Sequence, residues 1–217
     1  METRRQFLKH IPATVAVASG VGLLNSSKAS ANVTRSDEIP FQTIRPGARI
    51  GLISPATAVD RNALEWAVSN TEKLGFRVKL GRNVYKSFGY LAGTDQERAD
   101  DVNSMFADDS VDAIWCLKGG WGCARILDLL DYDLIRRNPK AIIGYSDITS
   151  LLTAIHKRTG LITLHGPNAI FGESDYSKNL LFDLLFDEAR KPFIATNRLS
   201  LIPFDRELRL VKLLVVT

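Results

Sequence analysis

Between Arg49 and Leu185 the apolar positions switch repeatedly between two spacings: short continuous or alternating runs, and longer runs with a repeat of three to four residues. Arg49-Ile50-Gly51-Leu52-Ile53 predicts a strand, closed by Ser54-Pro55. From Asp60, the positions Leu64, Ala67, Val68 and Thr71 share one helical face that ends at Gly75. Phe76 to Leu80 alternates and reads as a second strand. Thr94-Asp95-Gln96-Glu97 is a capping box, and the helix it opens places Val102, Met105 and Phe106 on its apolar side. Val111 to Leu117 predicts a third strand running into Lys118-Gly119-Gly120-Trp121-Gly122, after which Ala124, Ile126, Leu127 and Leu130 suggest another helix. Beyond the Asp131–Leu134 segment and a polar turn at Pro139, Ala141 to Gly144 is a fourth strand. Ile148, Leu151, Leu152 and Ile155 then fall at i, i+3, i+4 and i+7. Leu161 to Leu164 reads as a fifth strand ending at His165-Gly166-Pro167-Asn168, and Leu180, Leu181, Leu184 and Leu185 mark a last amphipathic helix.

Strands that alternate with helices of this length imply an α/β fold, a mostly parallel sheet with helices on both faces. Such sheets bind ligands beyond the carboxyl ends of their strands. Ser54, the Gly119-Gly120 loop, Ser146 and His165 all sit at those ends, so they can converge on one rim.

Two readings of Ser146 stand side by side. A strand turning sharply into a helix exposes a serine as a nucleophile elbow does, with the Asp147 N–H beside it as an oxyanion donor. The same junction also suits a plain N-cap serine, and the second glycine of G-x-S-x-G is replaced by Ile148. The Gly119-Gly120-Trp121-Gly122 loop is either a tight turn or a backbone that offers N–H groups to substrate, with Trp121 walling the pocket. Neither phosphate-cradle pattern is present, no metal-ligand spacing is found, and no cofactor is expected. A serine nucleophile needs a base, and the histidines are few. His10 belongs to the N-terminal segment, His156 lies about 15 Å along the helix after Ser146, and His165 is on the rim. The Asp147 carboxylate is expected to cap the helix it starts. A complete triad is not visible.

Composition adds boundaries. The 217 residues suit one domain with appendages, and 45% apolar content supports a sizeable core. Of the formal charge of +4, +3 lies in the first 31 residues, which leaves no basic patch for nucleic acid. That segment reads as a twin-arginine signal: Arg4-Arg5-Gln6-Phe7-Leu8-Lys9, a modest apolar stretch, then Ala29-Ser30-Ala31. Cleavage after Ala31 would leave a periplasmic or secreted chain without a stable membrane anchor. Residues 32–46 read as a linker, and Cys116 and Cys123 as two buried thiols.

Taken together, Leu91-Ala92-Gly93-Thr94-Asp95 with Arg98, Lys118-Gly119-Gly120-Trp121-Gly122 with Arg125, Asp131-Tyr132, Gly144-Tyr145-Ser146-Asp147-Ile148-Thr149 and His165-Gly166-Pro167 resemble the LD-carboxypeptidase family. This family of serine peptidases includes muropeptide LD-carboxypeptidases and microcin C self-immunity peptidases. The resemblance covers residues 47–195 and departs at Lys118 and Trp121, where arginine and tyrosine are usual. It implies an N-terminal α/β domain with Ser146 as nucleophile and oxyanion donors at Asp147 and the Gly119-Gly120 loop, while the rim positions of Trp121, Ser54 and His165 make them the expected substrate contacts. The reaction implied is metal-free release of a terminal D-amino acid from peptidoglycan tetrapeptides. In the family the triad glutamate and histidine lie in a C-terminal domain, and no counterpart of them is expected before Thr217. Residues 196–217 are accordingly expected to be a linker remnant and, after about residue 203, an out-of-frame tail. The expected activity of this chain alone is low. A non-catalytic periplasmic muropeptide- or peptide-binding module and a pseudogene fragment are the alternatives, and a homodimer is open only to a full-length chain.

Overall fold

The computed structural model describes residues 38–170, residues 185–186 and the backbone of residues 214–215. The expected signal segment, most of the last amphipathic helix and most of the tail lie outside the described residues.

Among the described residues the strands of the sheet all run parallel, in the order β2-β1-β3-β4-β5-β6. β1 (Arg49–Ile53) pairs with β2 (Arg77–Leu80) on one side and with β3 (Ala113–Cys116) on the other. β3 pairs with β4 (Ala141–Gly144), β4 with β5 (Leu164–His165), and β5 with the two-residue β6 (Leu214–Val215). Every residue of β3 and β4 is buried, as expected of central parallel strands covered on both faces. The outer strand β2 is only half-buried and carries Arg77 and Lys79, charges that discourage further pairing. From β1 the chain goes out to β2 and then returns past β1 to β3. The loops after β1 and β3 therefore diverge, and a crevice opens between them at the carboxyl ends.

The helices follow from local chemistry. Asp60 caps α1 (Arg61–Lys73) by accepting the Ala63 N–H, and Leu64, Ala67 and Thr71 are buried as the period predicts. The capping box of α2 (Asp95–Ala107) is formed in both directions between Thr94 and Glu97. The helix expected after Gly122 is interrupted: α3 (Cys123–Ile126) passes into a 3-10 turn at Leu127–Leu129. A further helix, α4 (Tyr132–Arg137), follows Asp131, whose carboxylate accepts the Leu134 N–H. The Tyr132 hydroxyl donates to the Leu127 carbonyl, which folds the two short pieces against each other. α5 (Ile148–Thr159) buries Ile148, Leu151, Leu152 and Ile155.

Two expectations need correction. The fifth strand starts three residues later than its apolar run suggests. Leu161 instead bridges Ile39, with the Ile39 and Ile162 amides bonded to Gly160 and Ile39 carbonyls at 2.9 Å each. The second correction concerns residues 38–46, which are not free linker: Phe41 and Ile44 are buried in the core, and the Ile44 N–H donates to the Leu185 carbonyl.

At the end of the sheet opposite the crevice, the buried Lys140 ammonium donates to the Met105 and Asp108 carbonyls at the carboxyl terminus of α2. Lys79 pairs with the Asp108 carboxylate, whose pKa is held far below the ordinary range by that bond. Packing therefore dominates α5, and capping dominates the start of α2. Leu152→Ala is expected to cost about 2–5 kcal/mol in urea denaturation, and Thr94→Ala about 1 kcal/mol.

Candidate active site

The turn after β4 is held on several sides. Gly144 is hemmed in, since a Cβ there would lie 2.7 Å from Ile148 Cγ2 and 3.0 Å from Asn168 Oδ1. The Tyr145 N–H donates to Asn168 Oδ1 at 3.1 Å. Ser146 follows with φ of +65°, the only positive φ at a non-glycine position among the described residues. A left-handed L-residue costs roughly 1–2 kcal/mol. A capping serine would be extended and would accept an amide two or three residues on. Ser146 does neither, and the N-cap position of α5 is Asp147. Its side chain is exposed at the tip of the turn.

The glycine loop reaches the same point from β3. A Cβ on Gly119 would lie 2.9 Å from Ser146 Cβ, 3.1 Å from the Tyr145 carbonyl oxygen and 3.2 Å from Ser146 Oγ. Only a glycine lets the two backbones touch here. Gly120 has φ of +115°, and a Cβ on it would lie 1.8 Å from Thr57 Oγ1. The loop after β1 is thus packed under the loop after β3. Among the described residues, the amides of Gly119, Gly120 and Asp147 donate to no acceptor. Three unpaired N–H groups therefore lie on the two loops that meet at the exposed hydroxyl, donors of the kind that suits a negative oxygen.

The Asp147 carboxylate does not cap its own helix. It accepts the Cys123 N–H at 2.9 Å and so serves the first amide of α3, while the backbone of Asp147 is already helical. The correction has a simple cause: an αR residue directs its side chain away from the amides that follow it. The result is a tie between the elbow and the far end of the glycine loop.

A second tie comes from Arg98, quoted above only as part of a motif. It is 1% exposed. Its Nη1 donates to the Pro55 carbonyl at 2.6 Å and to the Gly122 carbonyl at 2.9 Å, and its Nη2 pairs with Asp95. Asp95 in turn holds Arg125 through both carboxylate oxygens. The available signal was position: Arg98 lies one turn before Val102, on the apolar face of α2. Arg125 foremost, opposed by partial desolvation, and then Arg98 hold the Asp95 carboxyl below its ordinary value.

The remaining candidates are placed as follows. Ser54 is 4% exposed at the end of β1, and its Oγ has no hydrogen-bond partner among the described residues. Trp121 is 75% exposed, with its N–H 3.4 Å from Thr57 Oγ1. His165 sits in β5, half-buried and edge-on to the Tyr145 ring at 6.4 Å, and burial lowers its pKa below the ordinary histidine range. His156 is occupied elsewhere, with Nδ1 2.9 Å from the Leu161 carbonyl oxygen. Cys116 and Cys123 are free and buried, and desolvation pushes both thiols far up in pKa. No group of three or more residues able to hold a metal ion occurs among the described residues.

Two outcomes are expected of this framework. Gly120→Ala meets both a forbidden φ and Thr57, so it should lower the melting temperature, and Thr57→Ala should restore only part of the loss. The folded pKa of Asp95 lies below its unfolded value, near 3.8. Its stabilising contribution is therefore complete above that value and is lost as pH falls through the lower folded pKa. Arg125→Met should flatten this acid limb in unfolding measured between pH 5 and pH 2.

Residues 50–166 match the LD-carboxypeptidase N-terminal domain family, peptidase family S66. A Bacillus subtilis protein named a probable murein peptide carboxypeptidase is 48% identical over 126 residues, which is 58% of this chain and 40% of that protein. A murein tetrapeptide carboxypeptidase of Pseudomonas aeruginosa is 41% identical over 130 residues, 59% of this chain and 42% of its own. The crystal structure of an MccF-like protein from Bacillus anthracis superposes with a TM-score of 0.65 at 32% identity, covering 68% of this chain and 47% of that one. The chain thus spans less than half the length of these relatives. With its elbow, glycine loop and parallel sheet, the chain belongs to the LD-carboxypeptidase family, of which it carries the N-terminal domain.

Proposed function

We propose that the domain supplies the nucleophile and the oxyanion site of a serine LD-carboxypeptidase that acts on peptides derived from peptidoglycan. The observation that carries this reading is the left-handed, exposed Ser146 set against Gly119, with unpaired amides on the two loops that meet there. In this scheme Ser146 Oγ attacks the carbonyl carbon of the bond between an L-configured acyl residue and a terminal D-amino acid, and its proton passes to a base. The oxyanion that forms accepts from the Asp147 amide and from Gly119 or Gly120. Collapse of the intermediate returns the proton to the departing amine and leaves an ester on Ser146, which water then hydrolyses. Trp121 and His165 flank the approach, and Ser54 lies at the end of the neighbouring strand.

No imidazole among the described residues bonds to Ser146, because His156 is held by Leu161 and His165 stands against Tyr145. The base and its orienting acid must then come from outside the described residues. Without them, hydrolysis falls to what an oxyanion site and binding alone achieve. The same observation favours a second reading, a module that binds muropeptides without cleaving them. The Arg4-Arg5 motif and Ala29-Ser30-Ala31 support action after export, in the periplasm or beyond.

The test is D-alanine release from a tetrapeptide muropeptide, followed by chromatography, for the mature chain and for Ser146→Ala. The expected result is little or no release, with saturable peptide binding by both proteins. Adding the base should bring a rate that Ser146→Ala cuts by about a thousandfold or more. Rapid release that survives Ser146→Ala would overturn the reading.

A further inference from the structure

Three exposed aromatic rings sit on the turn and the loop beside the elbow, apart from Tyr85, which faces the Arg61 guanidinium, and Trp66 on α1. Phe88, Tyr90 and Trp121 are 64%, 57% and 75% exposed, while Phe41, Phe76, Phe106 and Trp115 are buried. Tyr90 stands at the tip of a tight turn in which Phe88 and Leu91 exchange both backbone hydrogen bonds, at 2.8 and 3.1 Å. That turn is fastened to the loop after β1, with the Ala58 N–H donating to the Tyr90 carbonyl at 2.9 Å and the Ala92 N–H to the Ala56 carbonyl at 3.0 Å. Thr57 pairs with Leu91 and also fills the hollow under Gly120, the residue before Trp121. A Cβ on Gly122 would touch Leu91 at 2.6 Å. The aromatic turn and the glycine loop therefore abut, and the same loop touches Ser146 at Gly119.

Large rings kept in water on a pinned backbone form a preorganised contact surface, since little freedom remains to be lost on binding. Their chemistry narrows the occupant. A pyranose has one face of C–H groups, which packs on an aromatic ring, and an edge of hydroxyls, which needs polar neighbours. Tyr90 lies within the electrostatic reach of Arg125, whose guanidinium is held flat by Asp95 and remains more than half exposed. Aliphatic side chains of the kind that fill a protein–protein core are not offered beside the rings, because Leu91, Ile53 and Ala56 are buried. Lys118, next to Gly119, forms no ion pair among the described residues. It presents a positive charge to an acidic stem peptide, a complementarity that a neutral saccharide site alone would not need.

We propose that Phe88, Tyr90 and Trp121 form a saccharide subsite, which stacks the amino-sugar rings of a glycan-borne muropeptide while its stem peptide runs past Lys118 to Ser146. The direction of the stem rests on the peptidase reading above; the saccharide contact does not.

The probe is a peptide-free tetrasaccharide of alternating N-acetylglucosamine and N-acetylmuramic acid, titrated into the mature chain and followed by tryptophan fluorescence and calorimetry. Saturable binding is expected, weakened about fivefold or more by Trp121→Ala and by Tyr90→Ala, and unchanged by Ser146→Ala. Circular dichroism melts keep these surface variants comparable in folding. No saturable binding by the wild-type chain, or binding indifferent to both ring variants, would overturn the proposal. So would sedimentation showing a dimer that Trp121→Ala dissolves, because the rings would then be covered by a second copy. A free tetrapeptide titrated in parallel separates the two ideas: saccharide binding without peptide binding removes the peptidase reading and leaves the subsite standing, and the converse removes the subsite alone.

Discussion

A guanidinium withdrawn from water fixes the shape of the rim. Burying a charge costs several kcal/mol unless every face of it is compensated. Arg98 meets most of that demand with the carbonyls of Pro55 and Gly122 and with Asp95, only its Nε lacking a partner among the described residues, so the loops after β1 and β3 cannot part without stranding a cation. A loop containing Gly119, Gly120 and Gly122 has little conformational preference of its own. Its single shape is imposed from outside, by Arg98 at one carbonyl, Thr57 below Gly120, and the Asp147 carboxylate at the Cys123 amide.

The topology divides labour between the two ends of the sheet. At the amino ends of the strands, Lys140 closes the carboxyl terminus of α2 and Lys79 pairs with Asp108, arrangements that serve only cohesion. At the carboxyl ends, the return of the chain past β1 leaves a crevice where backbone strain at Ser146 can be held. Strain of that kind persists where surrounding structure over-determines it. Gly144 against Asn168 and Gly119 against Ser146 supply the constraint.

The elements that local pattern governs were legible in the sequence. The i, i+3, i+4, i+7 face of α5 and the Thr94–Glu97 capping box are properties of a few adjacent residues, and both form as read. The sheet class and the gathering of Gly119 beside Ser146 followed from alternation and from strand ends. What escaped was set by distant partners. Asp147 serves an amide 24 residues away, and the position of β5 depends on Ile39, which takes the place beside Leu161. α4 is too short to show a period, and the place of Arg98 on the apolar face of α2 hints at burial without revealing the carbonyls of Pro55 and Gly122 that receive it.

Cys116 and Cys123 lie directly beneath this machinery, and Cys123 shares Asp147 with the elbow. Disulfide exchange begins with a thiolate, and burial suppresses that form in both residues, with the Asp147 carboxylate adding to the effect at Cys123. While the domain stays folded, thiol–disulfide exchange at these two sulfurs is therefore disfavoured. The packing under the serine thus rests on two sulfurs that burial keeps in the thiol form.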